Sequence, residues 1–248
     1  MNIIVCISSV PDTTSKINFK NNDTEFQNEG LQFVINPYDE FGLTKAIMLK
    51  ERYQAKVTVV TVGDNSVEPV MRKALAIGAD EAVRINMNPL DSYSVALSLV
   101  DYLKSNDYDL IICGRESIDY NGNAVPAIIA ESLDIPFVNA CIGLEIDDGT
   151  AKMLKEIDGG KEYVSSNIPV IIGGQKGLVE EHELKIPNMR GIMNARSKPL
   201  KVIEPIDHKK LTNSISFKKP SEKSSCKIIN EDNVSELVSL LRNEAKVI

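Results

Sequence analysis

Hydrophobic positions along the chain fall into two regimes. Over the first 140 residues, short apolar runs alternate with longer stretches at helical spacing. Residues 2–7 (NIIVCI) form an unbroken apolar run, which predicts a parallel strand covered on both faces. Residues 8–38 are polar and turn-rich, with one isolated apolar stretch at 31–35. Residues 39–53 place Phe41, Leu43, Ala46, Ile47 and Leu49 at helical spacing. Residues 57–62 (VTVVTV) are β-branched and predict a second strand. A helix from about 66 to 77 should stop at Gly78. A short third strand at 82–85 follows, then an amphipathic helix over 91–104 with Val95, Leu99 and Leu103 on one stripe. A fourth strand at 109–113 (DLIIC) leads to a helix over 123–133, whose first turn tolerates Pro126, and a fifth short strand at 135–138. This alternation predicts an α/β fold: a doubly wound, mostly parallel, Rossmann-like sheet with helices on both faces and right-handed crossovers.

After about residue 140 the pattern shortens. Runs at 143–147, 151–157 and 162–164 are separated by DDG and DGG, residues that accept the positive φ of tight hairpin turns. An apolar strand at 168–172 follows. Together they predict an antiparallel extension at about 142–173, attached to the main sheet. Residues 173–201 read as loop with one short helical piece. Residues 202–227 mix Pro, Lys and Ser like an extended arm, and 231–246 return to helical spacing through Val234, Leu237, Val238 and Leu241. The expected organisation is an α/β domain over 1–200 and an arm with a helix over 201–248.

Composition narrows the function. A chain of 248 residues with 43% hydrophobic and 25% charged residues can build a real core. Its net charge of −7 argues against a general nucleic-acid or membrane-surface binder, both of which need concentrated positive charge. No apolar run approaches the roughly 20 residues that span a bilayer. The opening MNIIVCISSVPD lacks the basic flank of a secretory signal, so a cytoplasmic protein is expected. Cys6, Cys113, Cys141 and Cys226 form no CxxC motif and read as reduced thiols, with Cys6 and Cys113 at the ends of buried runs. His182 and His208, both in polar sequence, supply neither a metal cluster nor a Ser-His-Asp set.

In an open parallel sheet a ligand sits beyond the carboxyl ends of the strands, where strand order reverses, so the loops after residues 7, 62 and 113 are the candidates. The third is Gly114-Arg115-Glu116-Ser117-Ile118-Asp119-Tyr120-Asn121-Gly122-Asn123, small and polar, delivered to a helix N-terminus that favours a phosphate. Asn123 is placed to cap that helix or to touch the phosphate. The Gly spacing matches neither G-x-G-x-x-G nor the Walker loop, so an ordinary capped loop is an equal reading. Asn36-Pro37-Tyr38-Asp39-Glu40 opens the first long helix, with Asp39 as a candidate cap, and Ser8-Ser9-Val10-Pro11-Asp12 is a third candidate turn. Lys155-Glu156-Ile157-Asp158-Gly159-Gly160-Lys161-Glu162 reads as a hairpin with solvated carboxylates. Met189 beside Arg190, with Ile192, Met193 and Arg196, has the chemistry of an adaptable docking surface, or of a short buried helix.

Taken in order, these segments resemble the electron transfer flavoprotein β-subunit family along nearly the whole chain. The likeness runs through the VPD turn, INPYDE, RKALAIGADEAVRI, the GRESIDYNGN loop, KEIDGGKE followed by IPVII, and MRGIMNARSKPL. The resemblance implies a heterodimer with an electron transfer flavoprotein α subunit, with FAD mainly on that partner at the interface, and AMP in this chain, or a second FAD in electron-bifurcating members. It implies nucleotide contacts at Cys6, at Asn36, Pro37, Tyr38 and Asp39, at Val62, and at Gly114 through Asn123, Ala124 and Val125. It implies a docking loop at about 183–198 carrying Met189, Arg190, Ile192 and Met193, and an arm and helix packed on the partner subunit. Electrons would pass from acyl-CoA or other primary dehydrogenases, through the FAD, to a quinone oxidoreductase or another acceptor. The chain would be an electron carrier subunit, not an enzyme by itself. Ala124 and Val125 stand where many members carry polar side chains, so a phosphate would be left to backbone amides and Asn123. Two rival classes are an adenylate-forming or ATP-pyrophosphatase enzyme, which needs a Gly-rich loop after the first strand, and a stand-alone adenine-nucleotide-binding regulator.

Overall fold

The computed structural model describes residues 1–221 and 225–248. The chain begins with β1 (Asn2–Cys6) and β2 (Ser9–Pro11), continues through a small hairpin of β3 (Phe19–Lys20) and β4 (Glu25–Phe26), and returns in β5 (Phe33–Ile35), which pairs antiparallel with β2. Next come α1 (Pro37–Tyr53), β6 (Lys56–Val62), a 3-10 turn at Asn65–Val67, α2 (Glu68–Ile77), β7 (Glu81–Ile85), α3 (Ser92–Lys104), β8 (Leu110–Gly114) and α4 (Val125–Leu133). A meander of β9 (Phe137–Asp147), β10 (Thr150–Ile157) and β11 (Gly160–Asn167) precedes β12 (Val170–Gly174). A 3-10 turn at Glu181–Glu183, α5 (Met189–Ala195), β13 (Leu200–Ile203) and α6 (Val234–Leu240) complete the chain, the last continuing as a π turn over Leu241–Ala245.

Nine strands form one sheet in the order β11-β10-β9-β12-β8-β1-β6-β7-β13. Every pair from β9 to β13 is parallel, and β9, β10 and β11 are antiparallel. The expected doubly wound α/β sheet with an antiparallel extension is therefore present, but the extension is β9, β10 and β11 alone: the strand at 170–174, expected within it, pairs parallel with both β8 and β9 in the main sheet. The chain lays β6 and β7 on one side of β1 and then returns to lay β8 on the other, so strand order reverses between β1 and β8.

The unbroken apolar runs feed two cores at once. Ile3, Val5, Val57, Val59, Leu110 and Ile112 face the core built with Leu43, Ala46 and Ile47 of α1 and Met71, Ala74 and Leu75 of α2. The alternate residues Ile4, Cys6, Val60, Ile111 and Cys113 face Ala96, Leu99, Val100 and Leu103 of α3 and Ile129 of α4. Period-two alternation of side chains sends successive residues to opposite faces, so only a run apolar at every position can serve both. Helix ends follow local rules: Gly78 ends α2 at φ 150°, and Asp91 with Ser94 forms a capping box at the start of α3.

Three local features depart from expectation. The polar stretch 8–38 holds two short antiparallel pairs. The strand expected from residue 168 starts at Val170, because Pro169 has no N–H to donate to the ladder. Leu200–Ile203, expected as part of a loop and an extended arm, instead forms β13 along β7, with Ala82 N–H donating to Pro199 O (3.0 Å) and Asn86 N–H to Ile203 O (2.9 Å). Beyond β13 the arm is held on α3 by His208 Nε2 and Asp101 Oδ2 (2.6 Å), and by the Leu211 and Thr212 N–H groups, which donate to Asp91 Oδ2 (2.6 and 2.9 Å). It then reaches the β3–β4 hairpin, where Phe217 stacks on Phe19 with ring centroids 5.0 Å apart. Part of the expected arm, residues 222–224, lies outside the described residues. Among the described residues no helix is long and apolar enough to cross a membrane.

Ile112 is fully buried in β8, at the middle of the sheet. Ile112→Ala should cost about 2–5 kcal/mol of unfolding free energy in a denaturant titration, the usual range for such a truncation. A loss below about 1 kcal/mol would contradict the placement of this strand at the core's centre.

Candidate functional site

The crevice where strand order reverses is bordered by the loop after β1, the loop after β8 and the first turn of α1. Asn36 and Asp39 turn inward there and are 1% and 3% exposed. Asn36 Nδ2 donates to Glu116 O (2.9 Å), and its Oδ1 accepts from the Ile118 N–H (3.2 Å). The Asp39 carboxylate accepts from the Ser8 N–H (2.7 Å) and the Gly114 N–H (2.8 Å). One helical turn thus ties the loop after β1 to the loop after β8. Gly114 has to be glycine, because an added Cβ would lie 2.2 Å from Asp39 Oδ1 and 2.9 Å from Tyr38 Cβ. Asp39 was expected as a helix cap. Instead Asn36 is the N-cap residue of α1 and makes no side-chain cap bond. The carboxylate satisfies strand-end donors in place of helix donors. Desolvation pushes the Asp39 carboxyl up to about 7, against the pull of the Ser8 amide, the neighbouring Asn36 side chain and the Gly114 amide.

The loop after β8 turns through Asn121 and Asn123, both left-handed at φ 49° and 47°. That conformation takes Asn123 out of the capping position expected of it. The N-cap of α4 is Ala124, without a side-chain cap, while Asn123 Oδ1 accepts from Asn139 Nδ2 (3.1 Å). The first-turn N–H groups of α4, at Val125 and Ala127, therefore lack side-chain partners, and Pro126 has none to offer. An anion placed at this end meets free donors and the positive end of the helix dipole. At the rim, the Arg115 guanidinium bonds Glu116 Oε1 (2.8 Å) and Gln175 Oε1 (3.2 Å) and lies 5.7 Å from the Tyr38 ring centroid. Gln175 in turn donates to Glu156, so this carboxylate of the hairpin is not merely solvated.

Cys6 and Cys113 sit side by side under the crevice at the ends of β1 and β8. Both are buried and free, as is Cys141, while Cys226 is exposed. The hydrogen bond that the Cys113 S–H donates to Cys6, together with burial, holds the Cys113 thiol well above the usual thiol range. Val62 ends β6 nearby. Its loop is braced by the buried Arg84, which donates to Gly63 O (3.1 Å), Asn86 Oδ1 (2.8 Å) and Glu68 Oε1 (3.2 Å). Nothing in the AVRI run signals that brace. Among the described residues no group of three His, Cys, Asp or Glu is placed to hold a metal.

Met189, Arg190, Ile192 and Met193 come together on α5, a separate element packed on α2. They sit on an exposed short helix: Met189 and Met193 are 75% and 69% exposed. Asn188 Oδ1 caps the helix by accepting from the Gly191 N–H (2.7 Å). Gly191 lets the helices touch, since a Cβ there would lie 2.4 Å from Ala76 O. Arg72 Nη1 donates to Ala195 O (2.7 Å) and Lys198 O (2.9 Å), and Lys198 Nζ donates to Leu75 O (2.9 Å) and Ala79 O (2.6 Å). Each helix thereby receives a cation at its C-terminal carbonyls, which fixes the base under the two methionines. Arg72 and Lys198 are far apart in sequence, and no local pattern pairs them.

Comparison with known proteins is consistent along the chain. The family model described as electron transfer flavoprotein domain matches residues 24–208. The chain is 36% identical, over an alignment 262 positions long, to the electron transfer flavoprotein subunit beta of Bacillus subtilis, with 100% of both chains covered. It is 32% identical over 252 residues to the subunit of the same name from Syntrophomonas wolfei, covering 100% of this chain and 98% of that one. Against the Dictyostelium discoideum subunit the identity is 29% over 256 residues, covering 100% and 99%.

Gly114→Ala should lower the unfolding free energy by about 1–3 kcal/mol in urea, because the new methyl group must displace Asp39 or Tyr38. Unchanged stability would contradict the close contact between α1 and the end of β8.

Proposed function

From the premise that this chain belongs to the electron transfer flavoprotein β-subunit family, we propose that it holds AMP in the crevice between β1 and β8 and relays electrons as one half of a heterodimer with an α subunit. The observation that carries the nucleotide reading is the uncapped start of α4, reached by the loop that leaves β8 beside the place where strand order reverses. The phosphate would take the Val125 and Ala127 amides with Asn123 beside them. Cys6, Val62 and Pro37–Tyr38 would border the rest of the nucleotide. Asn36 and Asp39 are engaged within the protein and would shape the pocket more than touch the ligand.

FAD, held mainly by the α subunit at the interface, supplies the redox chemistry when bound. This chain's residues complete its pocket and orient the complex. The arm and α6 would support the heterodimer: Ile206, Leu211, Ile215, Ile228, Val234 and Leu237 are exposed, apolar side chains that a second surface could cover. Met189 and Met193 on their braced helix form the surface offered to a primary dehydrogenase, such as an acyl-CoA dehydrogenase. Their unbranched, polarizable side chains adapt to more than one partner. The acceptor would be a quinone oxidoreductase or another redox protein.

Co-expression with the α partner should give a yellow, FAD-bearing heterodimer, and a colourless product or no complex would contradict the proposal. Met189→Ala should slow reduction by the dehydrogenase roughly tenfold, equivalent to about 1.4 kcal/mol, with bound FAD unchanged. Loss of FAD would contradict a docking role for this residue.

A further inference from the structure

Deepening the AMP reading, on which it rests, we propose that Asp39 is a positioning residue: its buried carboxylate pins the loop after β1 to the loop after β8, and release of that pin loosens the nucleotide crevice. The geometry is specific. Two backbone N–H groups from strand ends on either side of the switch point converge on one side chain, at 2.7 Å from Ser8 and 2.8 Å from Gly114. Gly114 has no Cβ, and the carboxylate fills the space that one would take. The loop pinned by Asp39 is the one that carries Asn123 and leads into α4, so the pin fixes where the phosphate donors stand.

An ionised carboxylate offers an acceptor oxygen to each N–H. A protonated one leaves one of those N–H groups an uncharged hydroxyl oxygen, a weaker acceptor whose hydrogen must turn away from it, so one arm of the pin loosens. Among the described residues no basic side chain forms an ion pair with Asp39. The groups facing it are Asp119 of the pinned loop, the Cys113 thiol of β8 and, beyond that, Cys6 of β1, while Glu40 of its own helix is paired with Lys73 (2.6 Å). Burial without a countercharge pushes the carboxyl up to about 7, so the pin switches within the physiological range. Fold stability moves the other way. Between the ordinary value of 3.8 and about 7 the native state keeps a proton that the unfolded chain has lost. The stability contributed by this group is complete below 3.8 and lost as pH rises through about 7. Holding the pin ionised therefore costs the fold stability while it tightens the crevice.

The test uses the intact heterodimer loaded with labelled AMP and chased with excess unlabelled AMP between pH 8 and pH 6. Wild-type dissociation should accelerate about tenfold on acidification, with a midpoint near 7. Asp39→Asn keeps the shape but presents N–H₂ to one donor at every pH, so its dissociation should be fast at pH 8 and lack that midpoint. Its unfolding free energy should also lack the fall from pH 5 to pH 8 that Asp39 gives the wild type. The AMP phosphate itself titrates at about 6 in both proteins, so the difference between the two profiles carries the result. Equal profiles, or wild-type retention of AMP by Asp39→Asn at pH 8, would overturn the proposal. If Asp39→Asn yields no heterodimer, amide exchange in the wild type decides. Intrinsically corrected protection of Ser8 and Gly114 should fall as pH drops through 7, and constant protection would overturn the pin. If the wild-type complex carries no AMP, the nucleotide reading fails, and the same exchange measurement judges the pin by itself.

Discussion

Two N–H groups at the carboxyl ends of adjacent strands, those of Ser8 and Gly114, point into a place that no strand continues, and the protein satisfies both with one buried carboxylate. A buried unpaired amide is costly, and so is a buried unpaired charge. Asp39 resolves the first at the expense of the second. Much of the local architecture follows. The residue at the end of β8 must be glycine, the first turn of α1 must lie against both loops, and Asn36 must hold the Glu116–Ile118 backbone so that the loop after β8 arrives at α4 from a fixed direction. The helix at which that loop ends is left without a side-chain cap.

Fold class was readable because the central strands serve two cores. NIIVCI, VTVVTV and DLIIC are apolar at consecutive positions, and that continuity separates a covered parallel strand from a half-exposed one. The hairpins of the extension were readable because DDG and DGG are local turn chemistry. β13 was not, because four residues between Pro199 and Glu204-Pro205 carry too little periodicity, and its pairing with β7 is decided by contacts over a hundred residues away.

The same division applies to the candidate site. Its position at the strand ends is a property of topology and was expected. The roles of individual side chains were not. Asn123 and Asp39 both have the residue types of helix caps, yet the left-handed backbone of Asn123 and the converging amides around Asp39 assign them other work. Arg72 and Lys198 bracing α5, and Arg84 bracing the loop after β6, are long side chains acting at a distance that sequence spacing does not encode.

Three parts of the molecule are distinct: the switch point with its buried Asn36 and Asp39, a short helix with two exposed methionines clamped onto α2, and an arm with exposed hydrophobic residues. Under the proposed reading, the first would hold the nucleotide and the other two would meet partner proteins. The switch point carries the nucleotide reading. Its most direct test is to denature the purified heterodimer and count what is released. One AMP and one FAD per complex are predicted. A complex that yields FAD but no adenosine monophosphate would contradict the central claim.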